Sequence, residues 1–401
     1  MVVRGRLNGQ PITLSLKRGA LTVALDEQTV LAVDRAGRLW SFYTKGHHFR
    51  RGLNGSVLAK WTREGVRQRR RLWRSESDLV VRRAALIMQA LRERLELDTT
   101  PTDQPQGTRE VAREIYEILG RAADFDVSAA RRDVERYCQV YKPIGILPPD
   151  QYMALVLQVT EGCSFNTCTF CTFYKERPFR IKSAQELRAH IAAVRAFLGD
   201  SMLMRKGVFL ADANALVVPQ RQMTKLLEVA IEELGKPQEV FAFLDGFSGQ
   251  KKSAEDYTAL AERGLRRVYV GLESGHDPLL AWVRKPGRAA DAVAAVRQMK
   301  AGGVGAGVIV MLGMGGRRYG EGHVRDTIAA VNRMELGRGD LLYFSEFVPA
   351  GTPYETRIDA PELRPLSRPQ MQAQREAIVG GLRFGMGRPQ IATYDIREFV
   401  Y

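Results

Sequence analysis

The sequence has few cysteines and no long apolar segment. Four cysteines in 401 residues exclude a small disulfide-stabilised scaffold. The longest apolar stretch, Val304 to Met314, is interrupted by glycines, so no membrane span is expected. The first residues contain no apolar signal core, and the sequence therefore predicts a cytoplasmic protein without membrane attachment.

Acidic residues are also in deficit. There are 45 Asp and Glu against 60 Lys and Arg, which gives a formal charge of +15 and a field that favours anionic partners. The apolar fraction of 45% and the charged fraction of 26% are those of an ordinary globular protein rather than a disordered one. The length is sufficient for two or three structural units.

The first 150 residues predict an accessory region in two parts. Residues 1–75 alternate short apolar segments with turn residues, which indicates a small, basic, β-rich region. Residues 76–150 show helical spacing interrupted by a polar loop at 99–108, which indicates a helical linker region. The fold class predicted for this part is therefore β plus helical.

A basic segment with interleaved aromatic residues lies at the junction of these two parts. It contains Trp61, Arg63, Arg67, Arg69, Arg70, Arg71, Trp73 and Arg74. Positive charge with exposed aromatic rings suits single-stranded nucleic acid. A solvated face of an arginine-rich protein explains the same pattern equally well, so both interpretations stay open.

From residue 151 the pattern changes to strands that alternate with helices. Six such strands over residues 151–350 predict an α/β core, a six-stranded parallel partial (β/α)6 barrel. Residues 351–401 are expected to form a C-terminal extension with one helix. Because right-handed crossovers bring the carboxyl ends of parallel strands to one rim, we expect the chemistry to lie there.

Three closely spaced cysteines carry the strongest chemical signal. Cys163, Cys168 and Cys171 form a C-x4-C-x2-C motif in the loop after the first predicted core strand, and thiolates bind iron–sulfur clusters and zinc. A closed zinc site needs four ligands, so a zinc knuckle with a distant fourth ligand is one alternative. Three thiolates on a cubane cluster instead leave one iron open for a substrate. Cys138, in a predicted helix, is expected to be an inert thiol.

A carboxylate and several glycines are expected at the same rim. Strand alternation puts Tyr269, Gly271 and Glu273 on one face, and a carboxylate at the end of a buried strand is costly unless it binds something. A glutamate that merely begins a helix is the alternative. Glycines on the fifth strand, including Gly313, are expected to leave room for a flat ligand.

The cysteine motif and the segment 268–286 resemble the radical S-adenosylmethionine (SAM) superfamily. The family's usual motif is C-x3-C-x-φ-C with φ aromatic; this chain is one residue longer between the first two cysteines and keeps Phe170 at the aromatic position. The core resembles the coproporphyrinogen-dehydrogenase and methylthiotransferase branch. The resemblance extends from residue 151 to about residue 354.

The resemblance implies one [4Fe–4S] cluster on the three cysteines and SAM bound to its open iron. Reductive cleavage of SAM would then yield a 5′-deoxyadenosyl radical that abstracts a hydrogen atom from an unidentified substrate. By the same resemblance Glu273 contacts the cofactor, Arg284 meets the methionyl carboxylate, and Asp212 occupies the place of an acid that receives the amino group. A solvated arginine at 284 and a turn residue at 212 are the alternatives. The cofactor-binding residues expected are Phe170, Asp212, Asn214, Glu273, Ser274, Arg284 and Gly313.

The substrate and partners stay open. The family resemblance implies an electron donor such as flavodoxin or ferredoxin. The substrate is a small molecule or peptide, or else RNA or tRNA bound through the basic N-terminal region. A non-catalytic iron–sulfur sensor is a third alternative. His323, Arg325 and Glu346 are candidate substrate contacts, and no residue is assigned to catalysis.

Overall fold

The computed structural model describes residues 1–98, 106–235, 239–249, 251–385 and 387–401. The chain divides into two units. The first unit comprises Met1–Pro143, Ala192–Arg205 and Arg397–Tyr401, and the second comprises Ile144–Ile191 and Lys206–Ile396. Among the described residues, no helix combines the length and the apolarity needed to cross a membrane.

The first unit is built on one antiparallel sheet. Its strands are β1 (Val2–Leu7), β2 (Gln10–Leu16), β3 (Ala20–Asp26), β4 (Thr29–Asp34), β5 (Leu39–Thr44), β6 (His47–Arg51), β7 (Val57–Arg63), β8 (Val66–Arg71) and β9 (Leu95–Leu97). Their order in the sheet is β8-β7-β6-β5-β4-β3-β2-β1-β9. The helices are α1 (Arg74–Arg94), α2 (Gln106–Ala123) and α3 (Val127–Val140). Of the predicted loop at 99–108, residues 99–105 lie outside the described part, and the remaining three begin α2.

Alternation of apolar residues explains which face of this sheet is covered. Ile12, Leu14 and Leu16 of β2 are buried on one face, as expected for a strand with one face on a core. They belong to the same apolar cluster as Met88 and Leu91 of α1. Helix α1 buries residues at helical spacing, so an amphipathic helix and an alternating sheet cover each other's apolar faces.

Three hairpin turns of this sheet have the same chemistry. Asn8, Lys45 and Glu64 adopt positive φ, and each is followed by a glycine that also has positive φ. Two successive left-handed residues form the turn that matches the twist of antiparallel strands. The turn residues therefore fix the register of the meander, including the β5–β6 and β7–β8 hairpins.

The second unit is built on a parallel sheet. Its elements, in chain order, are β10 (Leu155–Gln158), β11 (Thr160–Glu161), β12 (Arg180–Ile181), α4 (Ala184–Leu198), β13 (Val208–Ala211), α5 (Gln220–Leu234), β14 (Val240–Asp245), α6 (Gly246–Gly249), α7 (Ala254–Glu262), β15 (Leu265–Glu273), α8 (Asp277–Trp282), α9 (Ala289–Ala301), β16 (Gly305–Leu312), α10 (Gly320–Arg333), β17 (Leu341–Glu346), α11 (Arg368–Gly380) and β18 (Gln390–Tyr394). The division between units falls inside α4. A capping box is present at its start: the backbone N–H of Ser183 donates to Glu186 and that of Glu186 donates to Ser183.

The parallel α/β sheet is confirmed, but the predicted number of six strands is wrong. The order is β10-β13-β14-β15-β16-β17-β18, and each neighbouring pair is parallel. The additional strand, β18, lies in the predicted C-terminal extension. It contains one aliphatic side chain larger than alanine, Ile391, and no residue of it is fully buried. An edge strand with little apolar surface gives no alternation from which to predict it.

Parallel pairing brings the residues that follow the strands to one edge of the sheet. Strands β10 and β13 are buried along their whole length, which is typical of strands covered on both faces. In β15 the register with β16 shifts between Gly271 and Glu273. A bulge of this kind redirects a side chain at the end of a strand, and here that side chain is Glu273.

Candidate functional site

The three cysteines converge in the loop that follows β10 and β11. All three thiols are free and partly buried. Burial, together with the charges of Cys168 and Cys163 and partly offset by a backbone hydrogen bond from Phe173, raises the pKa of Cys171 to about 11. Burial likewise raises the pKa of Cys168. A bound metal centre would supply the positive charge that lowers the pKa of such neighbouring thiols and favours their thiolate form.

No group of three His, Cys, Asp or Glu side chains in the described ranges is close enough to hold a single metal ion. A cubane cluster makes a different demand, because each thiolate binds a different iron of the cube. The donor set of three thiols in one loop fits such a cluster. Cys138 is exposed on α3, away from this loop in the sequence.

Asp212 holds the start of the cysteine loop. Its Oδ2 accepts a hydrogen bond from the backbone N–H of Gly162 at 3.1 Å and pairs with Arg177 at 2.9 Å, while Oδ1 accepts from Gln158 at 3.1 Å. Burial raises the pKa of Asp212 to about 6, although Arg177 opposes the shift. Gly162 has φ 75°, and a Cβ there would lie 2.7 Å from the carbonyl oxygen of Pro178. Both features fix the chain immediately before Cys163.

The other end of the loop is fixed by distant segments. The backbone N–H of Thr169 donates to the carbonyl of Val283 at 2.9 Å, and the N–H of Tyr354 donates to the carbonyl of Thr169 at 2.8 Å. Phe170 packs against the apolar cluster that contains Val283 and Tyr354. The aromatic residue of the motif therefore anchors the loop in this cluster.

Glu273 and Lys285 lie beside the cysteines. One carboxylate oxygen of Glu273, Oε2, is buried and has no hydrogen-bond partner in the part of the chain that the structure describes. Burial raises the pKa of Glu273, and Lys285 opposes the shift. A Cβ on Gly271 would lie 2.6 Å from Glu273 Oε1 and 3.7 Å from Lys285 Nζ, so the absence of a side chain at Gly271 leaves the space that the Glu273 carboxylate occupies.

Lys285, and not Arg284, is the basic side chain at this point of the site. Burial alone would lower the pKa of Lys285, but the charges of Glu273, Cys168 and Asp245 outweigh it and raise the pKa. Arg284 is exposed and has φ 55°. The left-handed backbone conformation at Arg284 turns the chain, so the side chains of Arg284 and Lys285 point in different directions.

A second polar group lies at the ends of β13 and β14. The side-chain N–H of Asn214 donates to Asp245 and to the hydroxyl of Ser248, and it lies 3.4 Å from the hydroxyl of Ser164, next to Cys163. The Ser248 backbone N–H and hydroxyl donate to Asp245 at 2.9 and 3.0 Å. Asn214 is thereby held by the protein's own groups and connects two strand ends to the cysteine loop.

Ser274 and His323 form a buried pair. The Ser274 hydroxyl lies 2.8 Å from His323 Nδ1 and accepts from the backbone N–H of His276 at 3.0 Å. Burial, together with the charge of His276, lowers the pKa of His323 to about 4. The remaining candidate substrate contacts are paired with other charged residues: Arg325 is exposed and bonds Asp326, and Glu346 lies 3.2 Å from Arg368.

The glycines expected to line a flat pocket face protein atoms. A Cβ at Gly313 would lie 2.6 Å from the Met371 side chain, and one at Gly307 would lie 2.5 Å from the ring of Tyr269. The backbone N–H of Gly313 donates to Gln374 at 2.8 Å. These two glycines therefore permit close packing of α11 and of an aromatic ring.

Comparison with known proteins identifies the region that contains these residues. The sequence model of the Radical SAM superfamily matches residues 157–329. A search of curated proteins found no match.

Solved structures give weaker likenesses. Methylornithine synthase (PylB) aligns with a TM-score of 0.39 at 14% identity over 64% of this chain and 68% of that one. The cobalamin-dependent radical enzyme OxsB gives 0.39 at 16% identity over 72% and 36%. Coproporphyrinogen III oxidase (HemN) from Escherichia coli gives 0.41 at 13% identity over 62% and 54%. The chain thus covers about a third of OxsB and about half of HemN, and these likenesses do not define a substrate.

Proposed function

We propose that Cys163, Cys168 and Cys171 hold one [4Fe–4S] cluster. The premise is that residues 157–329 form a radical SAM domain and that the chain is an enzyme of that class. The superfamily uses this cluster together with SAM. The observation that carries the proposal is three partly buried thiols in one loop beside a buried, unpartnered carboxylate oxygen. When bound, the reduced cluster supplies the electron that cleaves SAM to methionine and a 5′-deoxyadenosyl radical, which takes a hydrogen atom from the substrate.

We assign the amino-acid end of SAM to Glu273 and Lys285. That end carries an ammonium and a carboxylate, and the pair offers one anion and one cation side by side. An ammonium donating to Glu273 Oε2 would remove the cost of a buried oxygen without a partner. Lys285 takes the role that the sequence resemblance implied for Arg284, because Arg284 is exposed.

The other predicted cofactor residues contact the protein around the site. Asp212 orients the backbone before Cys163, and Phe170 anchors the backbone between Cys168 and Cys171. Asn214, Ser274 and Gly313 are each engaged with neighbouring protein groups. We propose that these five residues position the cysteine loop and the strand ends.

Iron content and cofactor binding test the assignment separately. Anaerobically reconstituted protein should hold about four iron atoms, the stoichiometry of a cubane cluster. Alanine at Cys163, Cys168 or Cys171 should abolish this content, and Cys138→Ala is the matched control that should retain it. Retention of a full cluster after Cys168→Ala would contradict the assignment.

For the cofactor, Lys285→Met should weaken SAM binding in equilibrium dialysis while the iron content stays unchanged. Arg284→Met is the matched control and should bind SAM as the wild type does. Equal losses in the two variants would contradict the role of Lys285. Formation of 5′-deoxyadenosine with dithionite, followed by chromatography, tests the cleavage itself.

For the substrate we propose only a class of molecule. A small molecule or peptide and a nucleic acid both fit the enzyme class, and an electron donor such as flavodoxin or ferredoxin is expected to supply the electron. One feature of the first unit favours a nucleic-acid partner: the rings of His47 and Trp61 stack on each other next to the arginine-rich strand β8.

A further inference from the structure

A pair of stacked rings lies on neighbouring strands of the first unit. His47 of β6 is directly opposite Trp61 of β7, and Gln68 of β8 is opposite Trp61 on the other side. The His47 and Trp61 rings stack with centroids 5.7 Å apart and an angle of 28°. His47 is exposed and Trp61 is partly exposed. Directly opposed residues share a face of a sheet, so the three side chains form one row, which we call the aromatic row.

The aromatic row lies next to two projecting hairpin turns. A Cβ added to Gly46 or Gly65 would meet nothing within 4 Å, so the tips of the β5–β6 and β7–β8 hairpins extend into open space. Arg63, two residues after Trp61 on the same face, has a side chain that is 77% exposed. Lys45 is exposed at the neighbouring tip. Positive charge therefore lies beside the aromatic row, at the side of the sheet where these two hairpin tips project.

The structure divides the arginine-rich segment into engaged and available residues. Arg69 pairs with Glu398 at 2.6 Å, and Arg70 forms two hydrogen bonds with Glu76 at 2.7 and 2.8 Å. Arg71 donates to the carbonyl of Phe399 at 2.6 Å. These three arginines are therefore engaged by groups of the first unit. In the part of the chain that the structure describes, the ion pair of Arg63 is a 3.6 Å contact to the exposed Glu64.

We propose that the aromatic row binds single-stranded RNA, with an unpaired base stacked on the Trp61 and His47 rings and phosphates beside Arg63 and Lys45. Stacking on aromatic rings and phosphate contact with arginine or lysine are the two contributions that bind unpaired nucleic acid. The Gln68 amide next to Trp61 can both donate to and accept from a base edge. The binding does not depend on the radical chemistry proposed for the second unit.

The rings select this partner over other anions. An acidic peptide would be attracted by the charge but would not use a flat stacking surface. A duplex offers phosphates while its bases remain stacked on one another, so the rings would contribute nothing. RNA loops present unpaired bases, and the net charge of +15 favours any polyanion at long range.

Anisotropy titrations of the full-length protein with a labelled single-stranded RNA of about 12 nucleotides test the proposal. At an ionic strength of about 150 mM, where long-range attraction is screened, Trp61→Ala should weaken binding about 5- to 150-fold, the loss carried by one stacked base. Trp61→Phe keeps a ring and should retain most of the affinity. Trp73→Ala, which removes an exposed tryptophan outside the aromatic row, is the matched control and should bind as the wild type does.

Charge is tested by a second matched pair. Arg63→Glu should weaken binding and reduce its dependence on salt, because one phosphate contact is lost. Arg113→Glu makes the same change of charge at a side chain that is 79% exposed on α2 and also lies 3.6 Å from a glutamate, and it should have little effect. Equal losses in the two variants would show attraction by net charge alone and overturn the proposal.

Three further results would overturn it. One is the absence of RNA binding at about 150 mM salt. Another is equal or tighter binding of duplex RNA or of single-stranded DNA of the same sequence. The third is displacement of the RNA by poly-glutamate as effectively as by unlabelled RNA. The melting temperature and iron content of each variant should match the wild type, so that a loss of binding is not a loss of folding.

Discussion

The substitution Gly271→Ala tests the position of Glu273 without changing any charged group. The added Cβ would lie 2.6 Å from Glu273 Oε1, which is closer than van der Waals contact allows, so the carboxylate must move. It would lie 3.7 Å from Lys285 Nζ, an ordinary contact that leaves the lysine in place. The backbone at Gly271 does not have positive φ, so alanine is compatible with the strand.

The expected magnitude follows from the bond that would be lost. A hydrogen bond to a charged group contributes about 1.5–3 kcal/mol, so losing the Glu273 contact should weaken SAM binding roughly 10- to 150-fold. The iron content should stay at the wild-type value because the three atoms nearest the added Cβ belong to Glu273 and Lys285 and not to the cysteine loop. Equilibrium dialysis of reconstituted protein under anaerobic conditions measures affinity without requiring turnover.

Two companion variants make the result decisive. Gly380→Ala adds a Cβ in α11 where nothing lies within 4 Å, and it should bind SAM normally. Glu273→Gln removes the charge and keeps the shape, and it should lose affinity to a similar extent. Wild-type affinity in Gly271→Ala alongside a loss in Glu273→Gln would refute the positional argument. Wild-type affinity in both variants would refute the site.

Three other results are expected. His323 is fully buried and its pKa is lowered to about 4, so the unfolded chain takes up the proton before the folded chain does as pH falls below about 6.5. The contribution of neutral His323 to the unfolding free energy is therefore complete above that pH and is lost toward pH 4. In urea titrations over this range, wild-type stability should fall by up to roughly 3 kcal/mol more than that of His323→Gln. Phe170→Ala should lower the unfolding free energy by about 2 kcal/mol, less than for a fully buried ring, and reduce iron retention, whereas Phe170→Tyr should keep both. Trp61→Ala should affect RNA binding and leave SAM binding unchanged, as separate titrations would show.

The sequence predicted the parts of the site that depend on local pattern. The spacing of Cys163, Cys168 and Cys171 after a buried strand located the loop, and the sequence model of the Radical SAM superfamily matches the residues, 157–329, that contain it. The capping box at Ser183 was also predictable, since it requires only two residues three positions apart. Local rules succeed where the partner is near in sequence.

Features that depend on tertiary packing were not predictable. The positive φ of Arg284 decides which of two adjacent basic side chains lies near Glu273, and no residue type signals it. Strand β18 owes its place to pairing with β17 rather than to its own apolar pattern. The glycines of β16 are conspicuous in the sequence, yet the structure fills the space beside Gly307 with the ring of Tyr269.

The attachment of Thr169 to Val283 and Tyr354 has a consequence for the order of assembly during synthesis. The cysteines leave the ribosome well before the segments that shape their loop, because chains are made from the N-terminus. A nascent chain that ends before Tyr354 carries all three thiols without the backbone geometry that spaces them. Insertion of the cluster is therefore expected to follow synthesis of the chain through Tyr354, and C-terminal truncations that end before Tyr354 should lose iron although every cysteine remains.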